Sequence, residues 1–183
     1  DKVGRLLSSV SPRGNATGAD PAAHTTSYTY DAAGNTIKVT GPTGASTITT
    51  YDAINRPLTV TDPLDHTTSY TYDANDNVTK ITDAAGETVT SVYDKNNRLT
   101  SSTDQLGKTT TNAYDADGNL LIRTSPLGHK PSWTYHADGR QATAVDPRGN
   151  ATGADPAQYT TTYGHDPAGN PTTVTDPLGG VTT

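Results

Sequence analysis

Residues 30–35 read YDAAGN, and the phrase returns as YDAINR at 51–56, YDANDN at 72–77, YDKNNR at 93–98 and YDADGN at 114–119. The opening tyrosine falls at Tyr30, Tyr51, Tyr72, Tyr93, Tyr114 and Tyr135, always 21 residues apart. The next unit opens at His165 with HDPAGN, a step of 30. Residues 1–5, DKVGR, match DKNNR at 94–98, so a further unit opens just before Asp1, again 30 residues ahead of Tyr30. The two long units share wording as well as length: PRGNATGADPAAHTTSY at 12–28 and PRGNATGADPAQYTTTY at 147–163, 135 residues apart. Self-similarity at a fixed period is the signature of a repeat array. The units run approximately 1–29, 30–50, 51–71, 72–92, 93–113, 114–134, 135–164 and 165–183. Beginning at Asp1 without Met, the chain reads as a segment of something longer.

Each unit carries two turn signals. The first runs from an Asp to a Gly or Asn three residues on, as in Asp31 to Gly34, Asp115 to Gly118 and Asp166 to Gly169, with Asp52 and Asp94 opening it elsewhere and Asp73 at the same place of its unit. The second is D-P-R-G at 146–149, D-P-L-G at 176–179 and D-Q-L-G at 104–107. Asp at the first place accepts hydrogen bonds from backbone amides two residues on, and Pro presets φ at the second. Gly or Asn takes the left-handed place that returns the chain to a strand. Turns ten or eleven residues apart leave one short strand between them. A 21-residue unit is therefore two strands and two tight turns, and the array is expected to be all-β, an open antiparallel strip. The nine added residues of each long unit, ATGADPAAH and ATGADPAQY, are expected to project at a turn.

Composition agrees. Thr is the commonest residue, 36 of 183, while Glu occurs once and Phe, Met and Cys are absent. Thr and Tyr suit a pleated, half-buried surface, and Asp and Gly suit turns. Apolar residues two apart, Ile37 with Val39 and Leu58 with Val60, are expected to share one face of the first strand. Aromatics two apart in the second strand, Tyr28 with Tyr30, Tyr70 with Tyr72, Trp133 with Tyr135 and Tyr163 with His165, would stand Tyr beside Tyr across the sheet. The charge of −6 and the scattered Lys and Arg supply no basic stripe, which argues against nucleic acid as a partner. No apolar run reaches the ~18 residues of a membrane helix, so no membrane insertion is expected.

The motif, the period and the second turn together resemble the YD repeat of the Rhs family, over essentially the whole chain. The resemblance implies a β-strip that spirals into a hollow shell in the full-length parent. In Rhs proteins and insecticidal toxin complexes such a shell encloses a toxic C-terminal domain, and in teneurins a related shell supports adhesion at the cell surface. It implies an exported bacterial protein, secreted or at the cell surface, whose partners are neighbouring repeats, other copies of itself or a toxin cargo. His165 at the tyrosine place and His136 at the aspartate place depart from the pattern. The alternative reading is an extracellular adhesion or filament-forming array that binds glycans or neighbouring cells, with Tyr28, Tyr70, Trp133 and Tyr163 as glycan contacts. Sixteen strands at ~4.8 Å would close to a ring only ~25 Å across, too narrow for a folded cargo, so the segment is expected to depend on neighbours.

Catalytic and metal readings fare poorly, and no enzyme and no cofactor is expected. DADGN at 115–119 opens like an EF-hand loop, but the twelfth residue is Pro126 where that loop needs Glu. Rhs shells are often processed by an aspartyl self-cleavage site near D-P-x-G. Asp146 and Asp176 match those letters, yet both occupy ordinary second turns. The five His have no ligand spacing. Asn15-Ala-Thr17, Asn77-Val-Thr79 and Asn150-Ala-Thr152 fit a glycosylation sequon, as chance alone supplies in a Thr-rich chain.

Overall fold

The computed structural model describes residues 1–183. Sixteen strands follow in order: β1 (Ser8–Val10), β2 (Thr25–Tyr30), β3 (Thr36–Thr40), β4 (Ser46–Tyr51), β5 (Pro57–Thr61), β6 (Thr67–Tyr72), β7 (Val78–Thr82) and β8 (Thr88–Tyr93), then β9 (Leu99–Thr103), β10 (Thr109–Tyr114), β11 (Leu120–Thr124), β12 (Ser132–Tyr135), β13 (Gln141–Val145), β14 (Thr160–His165), β15 (Pro171–Thr175) and β16 (Val181–Thr182). There is no α-helix. Four short 3₁₀ turns, Pro12–Asn15, Pro21–His24, Pro147–Asn150 and Pro156–Tyr159, lie in the two long units.

The chain divides into two units, Asp1–Val89 and Thr90–Thr183. In the first, the strands β1 to β7 pair antiparallel in succession, the last pair being β6 with β7. In the second the same holds from β8 to β16. The all-β, open antiparallel meander expected from the turn spacing is what forms. The long units place their additions between β1 and β2 and between β13 and β14, at the second turn, as hairpins of two 3₁₀ turns each.

Neither unit has a hydrophobic core: no hydrophobic side chain is buried, and Gly14 and Gly149 are the buried residues. A single-layer sheet has no second layer to close over it. On one face, neighbouring strands set hydroxyl against hydroxyl. Thr40–Ser46 (2.9 Å), Thr50–Thr59 (2.6 Å) and Thr61–Thr67 (2.8 Å) do so in the first unit, and Thr103–Thr109 (2.8 Å) and Thr134–Thr143 (2.7 Å) in the second. These short cross-strand bonds give nine of the 36 Thr a structural use.

The register adds a detail to one sequence expectation and corrects another. Register slips by one residue wherever the motif tyrosine ends its strand: Thr29 faces Lys38 but Tyr30 faces Thr36, and Thr50 faces Thr59 but Tyr51 faces Pro57. The residue skipped is Ile37 or Leu58, so a bulge sits at the first member of each pair, while Ile37 and Val39 are both half-buried on either side of exposed Lys38. The aromatics also do not pair with one another. Tyr28 faces Val39, Tyr70 faces Ile81, Trp133 faces Ala144 and Tyr163 faces Val174. Tyrosines recur on every second strand, which places them ~10 Å apart, beyond the ~4.5–7 Å of an aromatic pair. The ring pair that does form is His136 with His165, edge to face at 5.8 Å.

Candidate functional site

The first-motif turns concentrate the chain's polar chemistry. In the turn opened by Asp52, Oδ1 accepts from the amides of Ile54 and Arg56 (both 3.0 Å), and Oδ2 accepts from Arg56 Nε at 2.8 Å. The fourth residue takes the left-handed conformation: Asn55 and Asn97 here, Gly34, Gly118 and Gly169 elsewhere, and Asp76, which a search for Gly or Asn would pass over. Asn35, Asn77, Asn119 and Asn170 donate in the same way to Oδ2 of Asp31, Asp73, Asp115 and Asp166, at 2.8 to 3.0 Å. Arg98 Nε does so to Asp94 at 2.7 Å. The Asn side-chain bonds hold Asp31, Asp73, Asp115 and Asp166 below the ordinary carboxylate value. For Asp52 and Asp94 the backbone N–H of the arginine is the main cause. Where His136 replaces the aspartate, Asp138 takes over, bound by Arg140 and drawn down to about 2.

The motif tyrosines close the splayed ends of the strands. The β3–β4 ladder spans Lys38 to Thr40 and leaves the carbonyl of Thr36 outside it. Tyr51 Oη donates to that carbonyl at 3.1 Å. Tyr30, Tyr72, Tyr114 and Tyr135 make the equivalent bond to Leu6, Pro57, Leu99 and Leu120 at 2.7 to 3.0 Å. Tyr93 occupies the same place at the end of β8 and at the same register slip. At His165 no phenol is present, and its Nδ1 is buried without a partner.

Sequence reasoning missed one device. The residue closing the first-motif turn alternates strictly: Arg5, Asn35, Arg56, Asn77, Arg98, Asn119, Arg140, Asn170. Each arginine reaches forward to the next turn, donating through Nη1 to the backbone carbonyl of Asp31, Asp73, Asp115 or Asp166 at 2.7 to 3.2 Å. Three of the guanidinium groups lie over the next tyrosine ring, Arg5 over Tyr30, Arg56 over Tyr72 and Arg98 over Tyr114, at 4.4 to 4.9 Å. Successive turns are thus clamped in pairs. A period of two units was the available signal.

Of the four aromatics considered for glycans, all are half-buried. The structure does not bring them together. Trp133 lines a cavity of about 660 Å³, and Tyr163 borders a separate one with His136 and His165. The two D-P-x-G aspartates act as turn caps. Asp146 accepts from the amide of Arg148 at 3.0 Å, and Asp176 Oδ1 accepts from the amides of Leu178 and Gly180 at 2.8 Å. No three His, Asp or Glu side chains gather as a metal cage, and no helix is long and apolar enough to cross a membrane.

The RHS Repeat family profile matches residues 1–47, 51–88, 93–130, 114–151 and 146–181. No curated protein matches the chain in sequence. Among solved structures, the Tc holotoxin pore of Photorhabdus luminescens is similar over 82% of this chain and 9% of its own, at 19% identity and a TM-score of 0.61. A TcdB2-TccC3-Cdc42 structure is similar over the same shares, at 19% identity and a TM-score of 0.62. At that identity the likeness is one of fold, and the chain spans less than a tenth of the length of either.

Proposed function

Because the chain belongs to the RHS repeat family, we propose that it is a non-catalytic structural stretch of the β-shell of an exported toxin or surface protein. The eight units named above are its building blocks, the motif tyrosines and aspartates its fasteners, and secretion or the cell surface its destination. One observation carries this reading: the sheet is a single layer without a buried hydrophobic side chain. Such a strip half-buries its apolar side chains and fully encloses none, which leaves limited hydrophobic burial of its own to offset chain entropy. It is suited to being one stretch of a larger wall, where repeat stability is a sum over neighbours.

Exposed leucines at second-turn tips support the same reading. Leu64 is 75% exposed in the first unit, and Leu106, Leu127 and Leu178 are 75% to 95% exposed in the second. They suit burial against neighbouring repeats or a cargo.

Limited proteolysis of the full gene product carrying this chain tests the proposal. A protease-resistant repeat region that also protects a separate polypeptide segment is the expected result. A resistant repeat region that protects no other segment, with the protein anchored as a surface fibre, would favour the adhesion reading instead.

A further inference from the structure

Three departures from the repeat meet at one joint, between the turn 136–139 and the end of β14. His136 stands where the other first-motif turns have aspartate, Gly164 where β12 has Thr134, and His165 where the other motif strands end in tyrosine. Each removes a fastener. Thr134 bonds Thr143 across the strands at 2.7 Å, whereas Gly164 faces Thr173 with no side chain to offer. Glycine also weakens the interior of a strand. Asp115 Oδ1 caps two amides of its turn, those of Asp117 and Asn119. In the turn of His136, Asp138 Oδ1 caps the amide of Arg140 alone. Tyr114 and Tyr135 close their strand pairs by donating to the carbonyls of Leu99 and Leu120. The carbonyl at the same place for β13 and β14 is that of Gln141. The ladder from Thr143 to Val145 leaves it outside, and His165 brings it no phenol.

Little else holds the joint. Arg140 Nη1 donates to the Asp166 carbonyl at 2.8 Å. The His136 and His165 rings meet edge to face at 5.8 Å, beside a cavity of about 510 Å³. Nδ1 of His165 is buried without a partner, and a buried polar atom left unpaired favours any state that wets it. Opening here breaks one arginine bond and one ring contact, and gives water to Nδ1 and to the Gln141 carbonyl. Opening the equivalent joint at Tyr114 breaks the phenol bond, the Arg98 bond to the Asp115 carbonyl and the guanidinium contact with the ring. We infer that the joint is a latch with Arg140 as its catch. The end of β14 and the turn 166–169 swing away from β13 and the turn 136–139, while the joints closed by Tyr114 and Tyr135 stay shut. Local openings are drawn from the least stable places of a structure.

Native-state hydrogen exchange of the 183-residue chain tests this. His165→Tyr restores the phenol at the Gln141 carbonyl and a phenol ring ahead of Arg140. It should slow exchange of the amides of Thr160–His165 about tenfold against the parent chain. The same amides are compared in both proteins, so their nearness to the chain end cancels. His165→Phe, a ring without the hydroxyl, should recover part of that slowing. Arg140→Gln should speed these amides about tenfold, and Arg98→Gln should speed those of Thr109–Tyr114 by no more than about threefold, because Tyr114 still holds. Unchanged exchange in His165→Tyr, loss of its strand signal by circular dichroism, or equal acceleration by the two arginine variants would overturn the inference.

Discussion

The two long units are nearly the same text and nearly the same shape, yet the side chains at their flanks differ. Residues 12–22 and 147–157 are identical, PRGNATGADPA. Both fold as two 3₁₀ turns, with Asp20 and Asp155 capping the second through the amides of Ala22 and Ala157. Both close with a bond of 3.0 Å across the base, Ser11 amide to His24 carbonyl and Asp146 amide to Tyr159 carbonyl. The differences lie at the flanks. Ser11 makes no side-chain cap where Asp146 binds Arg148, and His24 stands where Tyr159 carries the guanidinium. The shared segment sets the hairpin, and the flanking residues set what the hairpin can hold.

The largest effect should come from the feature the two hairpins share. A Cβ on Gly14 would meet His24 Cβ and Val10 Cγ1 at 2.6 Å, and on Gly149 it would meet Tyr159 Cβ at 2.7 Å and Val145 Cγ1 at 2.8 Å. Gly14→Ala and Gly149→Ala should each cost about 1–3 kcal/mol by denaturant unfolding. A cost at one hairpin alone would break the equivalence.

Next comes the contrast between a motif tyrosine and the hairpin tyrosine. Tyr51→Phe leaves the Thr36 carbonyl without its donor and should cost about 1 kcal/mol. Tyr159→Phe keeps the ring beneath Arg148, removes a phenol with no hydrogen bond, and should be close to neutral in the same assay.

A smaller effect should separate the hairpins in acid. Asp146 is held below the ordinary carboxylate value, chiefly by the Arg148 side chain. A depressed carboxylate stabilises the fold above its ordinary value, and the benefit is lost as pH falls through the lowered one. Below about pH 3.8 the amides of 147–159 should therefore lose hydrogen-exchange protection before those of 12–24, where Ser11 has no charge to lose. Equal loss in both would remove Asp146 from the account. Smallest of all, Arg148→Ala should lower the melting midpoint slightly through the lost ring contact, and Arg13→Ala should leave it unchanged. Thermal melts of the two variants give the difference.

Much of this was legible in the sequence. Asp31, Asp52, Asp73, Asp94 and Asp115 recur at 21 residues because each makes the same local turn, and local hydrogen bonding is a matter of neighbours along the chain. The strand order follows from turns too tight to let a strand pair elsewhere. The furnished cavity was not legible. Trp133, Tyr159 and Asp176 are 26 and 17 residues apart in succession, and no spacing rule joins them.

By itself, then, the sequence determined the repeat, the antiparallel meander, the family and the place of the two projections. All of these rest on turn chemistry and period. Only the tertiary structure decided what each side chain meets across the strands. The bulge at the motif tyrosine shifts the register by one residue, and one residue of slip exchanges the faces of a strand. With aromatics on alternate strands, Tyr30, Tyr72 and Tyr114 have guanidinium partners in place of other tyrosines. The pairing of successive strands likewise set Trp133 on β12 and Asp176 after β15, 43 residues apart, on the wall of one cavity.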